Sequence, residues 1–172
     1  LPQLVSRIKV DAPLCPIEIL PLSADAHYHA HLAQGEVDVV IGNWPQPPDD
    51  LHMGRLFGDE VVCLVGKDHP AVRRGWDVES WLAAEHIAPT PTHPAHFRLI
   101  PSIVASSLLV LTTGRQYCER YVDQLPLAIL PCPVPFPRLM YYQLWHARTH
   151  HSAAAAWLRD CVKTVAASLR KE

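Results

Sequence analysis

The sequence predicts an α/β protein of two lobes joined by two crossover hinges. Three observations predict this. The first forty or so residues alternate helix-like and strand-like segments, and the same rhythm resumes after Ile100. Prolines concentrate where the rhythm breaks, at 45–48, 89–94 and 131–137. Alternation of this kind is the signature of sheets covered by helices.

Residues 1–11 place Leu1, Leu4, Val5 and Ile8 at helical spacing, and Ala12-Pro13 ends that helix. Residues 17–22 read as a short buried strand. Ser23 is a good N-cap for a helix over 24–34, which Gly35 stops. The stretch LAQGEVDVVIGNWP then gives a strand over 37–42 that halts on Gly42, Asn43 and Trp44. These four elements suggest a parallel sheet with crossover helices. Strands over 52–57 and 60–66 follow, separated by little more than Gly58-Asp59, as a hairpin-like excursion or a tight bend. A short helix (78–85) and a short strand (86–90) lead into the second proline-rich segment. Beyond it, Pro101 suits the first turn of a helix over 101–107. A strand (108–112), a helix (115–124) burying Cys118, Tyr121, Val122 and Leu125, and a strand (127–130) complete the middle lobe. After 131–137 come an aromatic strand (140–147) and a last helix (153–169).

Composition narrows the class. The chain has 172 residues, 49% hydrophobic and 19% charged, with a formal net charge of −2. That is too apolar for disorder. The fifteen basic residues form no stripe able to neutralise phosphates, so this stretch by itself is a poor nucleic-acid binder. No apolar run approaches a membrane span, and no leader-like segment is read at Leu1. The five cysteines form no CxxC pair and read as reduced thiols in a cytoplasmic protein.

In open α/β sheets ligands sit beyond the carboxyl ends of strands, where helix N-termini also point. The side chains at those ends are Ser23, Asn43, Trp44, Thr92, His93, Thr112 and Thr113, with Ser102 at the start of a helix. Hydroxyls, an amide, an imidazole and an indole suit a small carboxylate with an apolar body. Plainer roles stand beside this one. Ser23 and Thr113 are also plausible helix caps, Trp44 can pack under the Pro45-Pro47-Pro48 loop, and Thr92 and His93 fit a turn. His27, His29 and His31 invite a metal reading, and His27 and His31 share one helix face, but no third ligand is positioned, and a solvated face accounts for these three and for His146, His150 and His151. No metal and no cofactor is expected. No Ser stands in a Gly-x-Ser-x-Gly elbow and no Cys has a sequence-supported base, so no catalytic residue is assigned.

Four segments in order, LAQGEVDVVIGN, LFGDEVVCLVGKDHP, LLVLTTGRQYCERY and FPRLMYYQLWHARTHHSAAAAWLRD, resemble the effector-binding domain of LysR-type transcriptional regulators. The Trp-His-x-Arg strand followed by Trp-Leu-Arg in the last helix is the most specific part. The resemblance implies a two-lobed, periplasmic-binding-protein-like (type II) fold. One lobe is expected over 1–88 and 138–172, the other over 89–137, with a small effector in the cleft between them. It also implies a winged helix-turn-helix domain and a first strand ahead of Leu1, and a helix and strand between Phe97 and Leu99. A stretch is therefore expected to be missing near 97–98. The implied partners are a small-molecule effector, DNA only through the N-terminal domain, and a second copy in a homodimer or tetramer, with no membrane. A free-standing solute-binding protein and an enzyme on the same fold are the alternatives.

Overall fold

The computed structural model describes residues 1–22, 27–44, 49–88 and 94–169. The chain divides into two compact units, Leu1–Gly58 with Met140–Glu172, and Asp59–Leu139.

The first unit holds a three-stranded sheet in the order β1-β6-β2, built from β1 (Val40–Gly42), β2 (Leu51–Asp59) and β6 (Leu139–His146). β1 runs antiparallel to β6, with Val40 opposite Leu144 and Gly42 opposite Tyr142. Two helix faces cover it. Leu32 of α2 (Tyr28–Gln34) packs with Val40, Leu51 and Leu144. Leu4 of α1 (Pro2–Asp11) packs with Leu56 of β2 and with Val162 and Ala166 of α7 (Ala153–Ser168). Ser152 caps α7 by accepting the Ala155 N–H. Gly35 ends α2 in the left-handed conformation (φ 81°) that its sequence position predicts.

The second unit holds a sheet in the order β4-β3-β5, formed by β3 (Val61–Gly66), β4 (Leu111–Gly114) and β5 (Leu127–Pro131). β3 is antiparallel to both neighbours. Four of its residues, Val62 to Val65, are fully buried, so it is the central strand. Because side chains alternate, Val62 and Leu64 face α5 (Pro94–Ala105) and α6 (Arg115–Val122). Cys63 and Val65 face Trp76 and Trp81 on the other side. The short helices α3 (Ala71–Arg74) and α4 (Val78–Ala83) follow β3.

Several expectations are corrected. Of the two readings for the 58–60 region, the hairpin-like excursion falls and the tight bend remains: β2 ends at Asp59, β3 begins at Val61, and each strand enters a different sheet. The registers described, β1 with β6 and β3 with β4 and β5, are antiparallel, and His86 makes a parallel bridge with Val110. In the first sheet the late strand β6 returns between β1 and β2, and in the second the early strand β3 is flanked by the later β4 and β5. Residues 17–22 form no strand, and Ile19, Leu20 and Leu22 are exposed. A strand needs a neighbour to satisfy its backbone, none is paired with this segment among the described residues, and Pro16 and Pro21 lack N–H donors.

Pro101 does not open a helix. It lies inside α5, buried. A proline here supplies no N–H to the carbonyl four residues back, Phe97. The Tyr117 hydroxyl donates to that carbonyl instead. Burial of the phenol pushes its ionisation well above the usual tyrosine range. The continuous helix also spans residues 97–98, joining the two sides of the place where a stretch is expected to be missing.

Candidate functional site

In the first unit the end of β1 is shaped by Gly42. The Trp44 ring folds back over it so closely that a Cβ on Gly42 would lie 2.6 Å from the indole. Tyr28 meets the same indole with ring centroids 5.5 Å apart. Trp44 thus packs, half-buried, against the cluster of Leu32, Val40, Leu51 and Leu144. The strand ends where the Trp44 ring lies over Gly42. Asn43, between the two, is exposed. Residues 45–48, Ser23, Thr92 and His93 lie outside the described residues.

In the second unit Thr112 and Thr113 are neighbours on β4 and point to opposite faces of the sheet. The Thr112 hydroxyl accepts from Trp81 Nε1 at 3.2 Å and lies 3.6 Å from Cys63 Sγ. Thr113 stands opposite Val62 and is half-buried. It is not a helix cap: Gly114 holds the N-cap position of α6. The N–H of Gln116 is taken by the buried carboxylate of Asp59, at 3.3 Å to each oxygen. Gly114 makes room for that carboxylate, since a Cβ there would meet Asp59 Oδ2 at 2.2 Å. Burial raises the Asp59 carboxyl above its ordinary range. The positive end of α6 therefore already carries an acid of its own. Ser102 is exposed on α5. Thr112 and Thr113 thus adjoin in the chain, but their side chains do not converge on one face.

The Trp-His-x-Arg and Trp-Leu-Arg segments turn out to be one latch in the first unit. Arg159, 7% exposed, lies 4.7 Å over the Trp145 ring. Its guanidinium donates to the carbonyls of Thr149 (3.3 Å) and His150 (2.9 Å). Trp145 Nε1 donates to His150 Nδ1 at 3.2 Å, and the His52 ring lies tilted against His150 with centroids 4.1 Å apart. Arg148 reaches back to the Ala33 carbonyl at the end of α2, 3.2 Å away. The Nδ1 of His146 accepts the Arg148 N–H, which leaves its proton on Nε2, facing Asp50 at 3.2 Å. His29 approaches the same carboxylate at 2.7 and 2.9 Å and holds it below the usual range. His29 and His146 therefore have a partner, where a solvated face was expected. No three ligand side chains converge for a metal ion among the described residues.

These features lie on two small sheets whose strand ends carry polar and aromatic groups. Residues 1–75 match the LysR substrate binding domain. The particular relatives are regulators. The chain is 28% identical to the HTH-type transcriptional regulator SyrM of Rhizobium meliloti (strain 1021), over 98% of this chain and 58% of that protein. It is 27% identical to the HTH-type transcriptional activator NahR of Pseudomonas putida, over 93% of this chain and 60% of that protein. The chain thus spans a little over half the length of these relatives. Its fold matches that of a transcriptional regulator from Vibrio parahaemolyticus with a TM-score of 0.83 at 23% identity, covering 99% of this chain and 90% of that one. The reduced OxyR regulatory domain matches at 0.75 and 19% identity, covering 95% and 87%. These likenesses bear out the two-lobed periplasmic-binding-protein-like fold.

Proposed function

We propose that this chain is the ligand-sensing part of a cytoplasmic LysR-type regulator, controlling transcription through a DNA-binding domain elsewhere in the polypeptide and acting as a homodimer or tetramer. It binds a small carboxylate-bearing effector and catalyses no reaction. The observation that carries this reading is the match to HTH-type regulators along 98% of the chain. Two further features support it. No helix among the described residues is long and apolar enough to cross a membrane. The polar groups at the strand ends fit a ligand better than a reaction, because no nucleophile there has a base beside it among the contacts described. A ligand changes the state of such a regulator only by binding one arrangement better than another.

Asn43 and Trp44 of the first unit and Ser102 and Thr113 of the second are the effector contacts in this reading. Ser23, Thr92 and His93 join them. Thr112 acts one layer back, because its hydroxyl is already engaged by Trp81 and Cys63. Calorimetric titration with a panel of aromatic and aliphatic acids tests the assignment. Ser102→Ala and Thr113→Ala should each weaken binding by about 0.5–3 kcal/mol, the range for losing one hydrogen bond to a neutral or charged partner. Trp44→Ala should weaken it through lost apolar contact. An acid that binds all three variants as it binds the unaltered chain would place the effector elsewhere.

A further inference from the structure

We propose that Cys63 and Cys132 form a reversible redox pair, which a peroxide converts to a disulfide joining β3 to the segment that follows β5. The argument begins with register. Cys63 stands opposite Leu130 in the β3–β5 ladder. Cys132 is two residues beyond Leu130, so both side chains emerge on the same face of the sheet. Both pack in one cluster with Val110, Trp76 and Trp81. The last paired residue of β5 is Pro131, opposite Val62. Cys132 is thus the first residue freed from the ladder, and it can close the remaining distance to disulfide geometry without breaking a strand pair.

The two sulfurs differ in a way that suits sequential chemistry. Cys132 is half-buried, whereas Cys63 is 0% exposed. Peroxide reaches Cys132 first: its thiolate forms an S–O bond as the O–O bond breaks, giving a sulfenic acid, and water leaves after taking up the thiol proton. The Cys63 sulfur then attacks that sulfenic sulfur. The S–S bond forms, the S–O bond breaks, and the departing hydroxide takes the Cys63 proton as a second water. Two thiols are oxidised and one peroxide is reduced. The buried position of Cys63 restricts it to the resolving role and shields the product. Its hydrogen bond with Thr112 is lost in the process. The remaining cysteines offer no equivalent. Cys118 is buried on the opposite face of this sheet, and Cys15 and Cys161 belong to the other unit.

The test is titration of the full chain with hydrogen peroxide, followed by thiol counting and peptide mapping without reductant. The chain should lose two of its five free thiols, yield one Cys63–Cys132 linked peptide pair, and recover both thiols with dithiothreitol. Cys132→Ala should abolish the linkage and leave Cys63 reduced. Cys63→Ala, a small apolar replacement that the buried site accepts, should let Cys132 proceed to sulfinic acid. Cys15→Ser should change none of this. Oxidation of Cys132 to sulfinic acid in the unaltered chain with Cys63 still reduced would overturn the proposal. So would chains linked to one another through Cys15 with the Cys63 and Cys132 thiols intact. Neither outcome depends on effector binding, so the pair and the effector site fail or stand separately.

Discussion

Arg159→Met should destabilise the chain by about 2–4 kcal/mol, the sum expected for hydrogen bonds from a charged donor and a desolvated cation–π contact, less what the Met side chain recovers by packing. The guanidinium ties two carbonyls of the turn after β6 to the last helix and covers Trp145. Without it the Thr149 and His150 carbonyls lose a buried donor, and His150 loses the carbonyl contact that orients it toward Trp145 and His52. Urea unfolding followed by circular dichroism measures the loss. Arg159→Lys should fall between the two, since a lysine can reach one carbonyl but lacks the planar fork. An unfolding midpoint for Arg159→Met equal to that of the unaltered chain would show the latch to be dispensable.

Leu64→Ala should cost about 2–5 kcal/mol, the range for deleting a fully buried leucine and leaving a cavity. Leu64 is 0% exposed on the central strand β3, opposite Leu111 on one side and Ile129 on the other. It packs with Ile100 and Val104 of α5 and with Cys118 of α6, so the cavity would open between the sheet and both helices. Leu64→Met keeps the volume and should cost less than about 1.5 kcal/mol. Differential scanning calorimetry on both variants separates lost packing from a general intolerance of change at this position.

Where residues spoke for themselves, the sequence was a good guide to these elements. Periodicity in α6 and α7 and the glycine at the end of α2 were legible because they depend on local spacing and backbone conformation. The 17–22 segment misled because its apolar alternation states only a capacity to pair; whether a partner strand exists is a non-local fact. Pro101 misled for the opposite reason. A proline inside a helix is ordinarily unfavourable, and the remedy, the Tyr117 hydroxyl, lies sixteen residues on. The pairing of β3 with β4 and β5 was equally hidden, since Gly58-Asp59 looks like a hairpin turn until the strands on either side find other neighbours.

At the candidate site, Trp44 was legible as an abrupt strand end, but its dependence on the missing side chain of Gly42 was not. Asp59 was missed because it reads as a turn residue, while its role is to cap a helix that begins more than fifty residues later. The Trp-His-x-Arg and Trp-Leu-Arg segments were legible as a family signature before their physical reason was: they brace the last strand against the last helix and against α2.

The most direct measurement is amide hydrogen exchange, read by mass spectrometry, on the chain with and without whichever acid binds in the calorimetric panel. A ligand-sensing domain of the kind proposed predicts slowed exchange at the end of β1, around Asn43 and Trp44, and at the end of β4, around residues 112–114, with α1 and the exposed 14–22 segment unchanged. Binding that protects neither strand end, or a panel in which no acid binds at all, would contradict it.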